Sequence, residues 1–448
     1  MVRYGAPLIA IQHVRVIDGT GAPALSDRTV IIDHGKIRSV GPSFSTTVPA
    51  GATLVDGRGD TLTPGFIGTH DHLYYVSGGP MFVMREMPYS FPRLYLAAGV
   101  TTLRTTGSVE PYTDLRVKRA IDDGQLLGPH LDVTSPYMTG YEPFFIQMGQ
   151  LQSAADARRS VGFWADRGVT SFKLYMSTPP AIAKAVIDAA HARGLRVAGH
   201  LCSIGFTQAA QMGIDSLEHG FMIDTEFYPN KKPGLCPDET PADEAIFADL
   251  SVNDTRVRQL FHTMIAHHVA LSSTLANMSA LPSMRQERRN FAIEDAESVA
   301  DVKATRKRIL ARPPARRSLA LRVFGKEMQL EAAFYRAGGL VTQGPDPTGY
   351  GEAMAGFGDQ YDMELLVQAG LTPVQAIHVA TENGAISLGR AAHIGTIVPG
   401  KNADLVLVRG NPAANIDDIE NVEVVFKDGV GYDSARILQS IRGIVGRQ

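Results

Sequence analysis

The sequence predicts an α/β protein: a (β/α)8 barrel flanked by a small β-sandwich built from both chain ends. Three observations carry this. Between residues 64 and 394, eight strand-like runs alternate with helical stretches, which is the pattern of βαβ units and a parallel sheet. Both ends of the chain are instead rich in short β-runs and tight turns. The polar residues that close the central runs are histidine, lysine and aspartate, and of these histidine and aspartate are types that hold metals.

The elements follow in order. Residues 1–63 form the first part of the sandwich. Thr29–Asp33 and Ile37–Gly41, joined by His34-Gly35-Lys36, read as a hairpin. Residues 395–448 have the same texture, with Gly395–Gly400, Asp404–Val408 and Val422–Gly429 as β-like runs. Neither end buries much alone, so the two are expected to pair. In between, the strand candidates are Leu62–His72, Val100–Thr105, His130–Ser135, Ser171–Tyr175, Arg196–His200, Ser216–His219, Val269–Thr274 and Leu340–Gln343. Several follow a helix stopped by glycine, as at Gly99, Gly168, Gly194, Gly213 and Gly338. One long departure, about 275–330, is a helical insert. From Lys303 to Lys326 it holds nine Lys/Arg and no Asp/Glu. It reads as a solvated insert or oligomer contact, or more sharply as a basic lid favouring anionic substrates.

Composition narrows the function classes. The 448 residues exceed one small core. The net charge of −3 gives no argument for nucleic acid or a membrane surface. No apolar run reaches the roughly 20 residues of a membrane-spanning helix. The N-terminus lacks a signal-like apolar segment, and only Cys202 and Cys236 are present, which fits a reducing compartment and a cytoplasmic protein. The expected partner is a small-molecule substrate, and a homo-oligomer is expected.

In such a barrel, reacting groups sit at the C-terminal strand ends. The first candidate strand ends His70-Asp71-His72. Side chains alternate along a strand, so the two histidines share a face and Asp71 points away. Lys173 closes the fourth strand, His200 the fifth, His219 the sixth, and Asp346 follows the eighth. Neutral imidazole and carboxylate suit zinc and similar ions. His130 and His267-His268 lie at strand beginnings and are assigned no catalytic role. In the loops after the strands, Tyr137, Tyr141 and Tyr228 are candidates for substrate contacts, and Arg104 for binding a carboxylate.

These residues resemble the amidohydrolase superfamily, within it the imidazolonepropionase-like and metal-dependent dipeptidase branch. The similarity extends to Leu62–Ile67, Gly99–Arg104 and the exit Gly395–Leu407. It implies His70 and His72 on a first metal, His200 and His219 on a second, and Lys173 carbamylated and bridging the two. Asp346 would complete the first site and act as general base and then acid, with His219 the catalytic residue of a one-metal variant. The implied cofactor is zinc, one or two ions per chain. The implied reaction is cleavage of a C–N bond in a dipeptide, N-acyl amino acid, or aryl amide or urea by a metal-activated hydroxide. The alternatives are a cyclic-amide hydrolase of imidazolonepropionase type and a non-catalytic binding barrel, which would be expected to lack several of these residues. Where many relatives carry Asp two residues before the first histidine, this chain has Gly68.

Overall fold

The computed structural model describes residues 1–77, 83–238, 240–279, 293–347 and 353–446. Part of the loop after the first strand (78–80) and the start of the basic insert (280–292) lie outside the described residues. Among the described residues no helix is long and apolar enough to cross a membrane.

Eight parallel strands form the barrel sheet: β1 (Phe66–Asp71), β2 (Val100–Thr105), β3 (His130–Thr139), β4 (Ser171–Leu174), β5 (Arg196–Gly199), β6 (Ser216–Glu218), β7 (Ala270–Ser273) and β8 (Leu340–Gln343). Each pairs with the next in chain order. The seam between β8 and β1 is held by side chains and loop backbone. Thr69 Oγ1 lies 2.8 Å from Thr342 Oγ1 and donates to Gln343 O at 3.0 Å, and Asp346 N donates to His70 O at 3.0 Å. The glycine stops act as expected: Gly99 (φ 95°) and Gly213 (φ 92°) end their helices in the left-handed region.

The two chain ends pair into one continuous nine-stranded sheet. Asp60–Pro64 lies antiparallel to Leu405–Arg409, and Leu8–Val16 runs beside it on the other side. The alternation along Leu405–Val408 assigns two cores. Leu405 and Leu407 pack with Ile9, Ile11 and Phe426 inside the sheet, while Val406 and Val408 join the barrel core. A strand buried on both faces reads as an unbroken apolar run.

Two expectations need correction. The stretch Leu62–His72 is two strands rather than one. Its first part belongs to the terminal sheet, and its second, after Gly65, to the barrel. Cys202 and Cys236 are joined in a disulfide across 34 residues, with Cα atoms 4.9 Å apart. The argument for a reducing compartment from two free thiols therefore fails, because the fold brings together cysteines that lie far apart in sequence.

The basic insert continues as α1 (Ala296–Leu310) and α2 (Pro314–Arg336). Among its arginines, Arg316 pairs with Glu244 at 3.0 Å and Arg322 with Asp249.

Candidate metal centre

The barrel sheet turns the C-terminal ends of its strands toward one mouth, and the titratable groups gather there. His72 Nε2 lies 3.0 Å from Asp346 Oδ1, and His70 Nε2 lies 4.0 Å from the same oxygen. His219 Nδ1 is 3.8 Å from Asp346 Oδ2. One donor atom from each of His70, His219 and Asp346 falls within 4.8 Å of the others. The His200 ring stands 4.4 Å from that of His219, centroid to centroid. Lys173 is 1% exposed, and its Nζ has no hydrogen-bond partner among the described residues; neither has His72 Nδ1. A buried amine left unpaired is costly, which marks Lys173 as a group awaiting a partner.

Electrostatics keeps the donors in the forms a cation needs. Burial, then the Lys173 charge, lowers His200 to about 3. Burial and the neighbouring His70, His200 and Lys173 hold His219 well below the ordinary imidazole value. His70 is depressed in the same way, by burial first and Lys173 next. Burial lowers Lys173 itself to about 8. Neutral imidazoles around a carboxylate suit a divalent ion.

The backbone at this mouth is unusual. His219 (φ 66°) and Asp346 (φ 50°) both occupy the left-handed region, which non-glycine residues rarely adopt and which concentrates at functional sites. Asn277 fastens Asp346 by donating its side-chain amide to Asp346 Oδ2 at 2.9 Å and Asp346 O at 3.2 Å. Tyr95 Oη brackets His72, donating to its carbonyl at 2.9 Å and accepting from its N–H at 3.3 Å.

Glu218 is the participant that sequence reasoning passed over. It is fully buried and accepts from His70 Nδ1 at 2.6 Å, Arg104 Nη2 at 2.9 Å and Ser216 Oγ at 2.7 Å. Burial works to raise its pKa, but Arg104 and Lys173 outweigh it and hold the carboxyl below its usual range. A carboxylate on Nδ1 fixes the His70 tautomer and leaves Nε2 as the ligand atom. The signal was present: Ser216 and Glu218 share the inward face of β6, and an acid on that face needs a partner. Glu218→Gln is expected to weaken divalent-metal affinity by about 10- to 100-fold, measured by chelator competition. Unchanged affinity would remove Glu218 from the site.

The proposed substrate residues fall in different places. Arg104 is 2% exposed, and its guanidinium is committed to Glu218 and to Thr69 O at 2.8 Å. It therefore positions Glu218 inside the barrel and does not face a substrate carboxylate. Tyr137 does reach the site: its Oη lies 2.5 Å from Tyr74 Oη, and its ring stands 6.2 Å from that of His72. Tyr141 Oη accepts from Cys236 N at 3.1 Å and donates to Gly234 O at 3.4 Å, bracing the disulfide segment. Tyr228 lines a cavity near the mouth. His130, at the opposite barrel end, lies 3.3 Å from Asp428 and 3.8 Å from Asp404, tying the barrel to the terminal sheet.

Asp71 points away from the donors, into the layer behind β1. A Cβ at Gly68 would lie 1.7 Å from Asp71 Oδ2 and 3.0 Å from Asp359 Oδ1. The space that a side chain at 68 would need is thus filled by the Asp71 carboxyl.

The match to known proteins agrees with this geometry. The model of the amidohydrolase family matches residues 61–309 and 333–430. The chain belongs to the amidohydrolase family. This amidohydrolase is 33% identical to the imidazolonepropionase of Idiomarina loihiensis over 115 residues, 25% of this chain and 28% of that protein. It is 24% identical to adenine deaminase 3 of Rhizobium meliloti over 437 residues, 96% of this chain and 58% of that protein. The chain therefore spans less than two thirds of the length of either curated relative. A solved Xaa-Pro dipeptidase with methionine bound in its active site shares the fold, with a TM-score of 0.71 and 21% identity, over 95% of this chain and 100% of that one.

Proposed function

We propose that this amidohydrolase is a metal-dependent enzyme that cleaves an amide-type C–N bond in a small molecule. The observation that carries the reading is the Asp346 carboxylate set among His70, His72 and His219, with the unpartnered Lys173 Nζ buried in the same barrel mouth. His70, His72 and Asp346 would hold a first zinc ion, and His200 and His219 a second, with a carbamylated Lys173 joining the two. When bound, the ions supply Lewis acidity, polarising the scissile carbonyl and lowering the pKa of an attacking water.

The chain's own residues do the rest. Asp346 accepts the proton of the attacking water and returns it to the leaving nitrogen, so that water and amide become a carboxylic acid and an amine. Glu218 holds His70 in one tautomer, and Asn277 keeps the Asp346 carboxylate oriented. Of the Tyr74–Tyr137 hydroxyl pair beside His72, the hydroxyl that accepts from the other would donate to a substrate oxygen. Dipeptides, N-acyl amino acids and aryl amides or ureas are the substrate classes this chemistry serves. The local identity to an imidazolonepropionase supports a second reading, hydrolysis of a cyclic amide.

The test is a panel of dipeptides, N-acyl amino acids, anilides, ureas and cyclic amides, assayed with zinc or manganese and after chelation. Turnover that disappears on chelation and returns with metal is expected. Full activity in metal-free protein would overturn the reading.

A further inference from the structure

Between the chain segments that follow His219 and Asn277 and helix α2, the structure has a cavity of about 510 Å³. Its walls are largely apolar and include Met222, Phe247, Met278 and Phe324. Three links tie it to the cluster. Met222 comes from the turn that leaves His219. Met278 follows Asn277, the residue that orients Asp346. Phe324 sits one helical turn before Glu327 on α2, and the Glu327 carboxylate accepts from Phe221 N at 2.8 Å. That contact is close: a Cβ at Gly220 would lie 2.0 Å from Glu327 Oε1. The cavity therefore shares its walls with the segments that set His219 and Asp346.

The charge at its rim is uneven. Arg316 and Glu244 form a two-pronged pair at 3.0 and 3.3 Å and neutralise each other. Arg312, also at the rim, has no acidic partner among the described residues. Of the two guanidiniums among the described lining residues, that of Arg312 is thus the uncompensated one. Small-molecule sites commonly pair an apolar chamber of this size with a few orienting polar groups, and a guanidinium is well shaped for a carboxylate.

We propose that this cavity is the substrate's side pocket, selecting amides that join a bulky apolar group to a free carboxylate, as in N-acyl derivatives of hydrophobic amino acids. The proposal rests on the hydrolase reading above and narrows it.

The experiment uses zinc-loaded enzyme with N-acetylphenylalanine, N-acetylglycine and N-acetylphenylalaninamide. N-acetylphenylalanine is expected to show the highest kcat/KM. Arg312→Gln should raise its KM by about 10-fold with kcat retained, and leave the carboxamide unaffected. Ala320→Trp, which fills the chamber from α2, should raise KM for the phenylalanine substrate by about 10-fold and spare N-acetylglycine. That spared activity separates a filled pocket from a misfolded protein. Equal kcat/KM for the phenylalanine and glycine substrates, or indifference to both variants, overturns the proposal. If no amide is cleaved, the hydrolase reading falls. The pocket is then decided by calorimetric binding of N-acetylphenylalanine, which both variants must weaken if it stands.

Discussion

Asp346→Asn is expected to lower kcat/KM by about 10²- to 10⁴-fold, the range for losing a positioned general acid–base group. The substitution suits this position. Asp346 has φ 50°, and asparagine is among the few residues that tolerate the left-handed region, so the backbone should persist. The amide can still receive the hydrogen bond that Asn277 gives to Oδ2 only if its oxygen takes that place. What the amide cannot do is accept and return a proton. The decisive measurement is kcat at saturating zinc, with circular dichroism to confirm the fold. A variant retaining more than roughly a tenth of wild-type kcat would remove Asp346 from the proton path.

Lys173→Ala is expected to be comparably severe, about 10²-fold or more in kcat/KM, through loss of metal-site charge. The wild-type amine is buried, unpartnered and lowered to about 8, so near neutral pH part of it is the uncharged form that adds carbon dioxide. Two ligand-level readouts distinguish a carbamate from a bare ammonium. Activation of metal-free wild-type protein should require bicarbonate as well as zinc. Lys173→Ala should regain activity with short carboxylic acids, which restore an anion in the vacated space. Loss of activity with neither bicarbonate dependence nor rescue would leave Lys173 as a positioning residue in a mononuclear site.

Much of this architecture was legible because local signals and global topology agree. Glycines end helices ahead of strands, and strand ends carry His70, Lys173, His200, His219 and Asp346. What escaped the sequence has physical causes. The boundary at Gly65 is invisible to periodicity because strands in both sheets are buried and apolar. Glu218 was hidden by its neighbour His219, which drew attention as a ligand, while the acid's role depends on His70 and Arg104 arriving from other strands. Arg104 looked available for a substrate because two of its partners, Ser216 and Glu218, lie more than a hundred residues away in the chain. The disulfide likewise depends on two mouth loops meeting.

Gly68 and Asp71 occupy one volume between them, and that makes them a linked pair in sequence change. Any side chain at position 68 must displace the Asp71 carboxyl, and a smaller residue at 71 would leave a void beside Asp359. Neither substitution is conservative alone, although each looks so in isolation. Exchanging the two together keeps a single carboxyl in that layer. The effects of the single changes should therefore not sum to that of the double. Variation among similar chains at these two positions is best scored jointly, as one two-residue character.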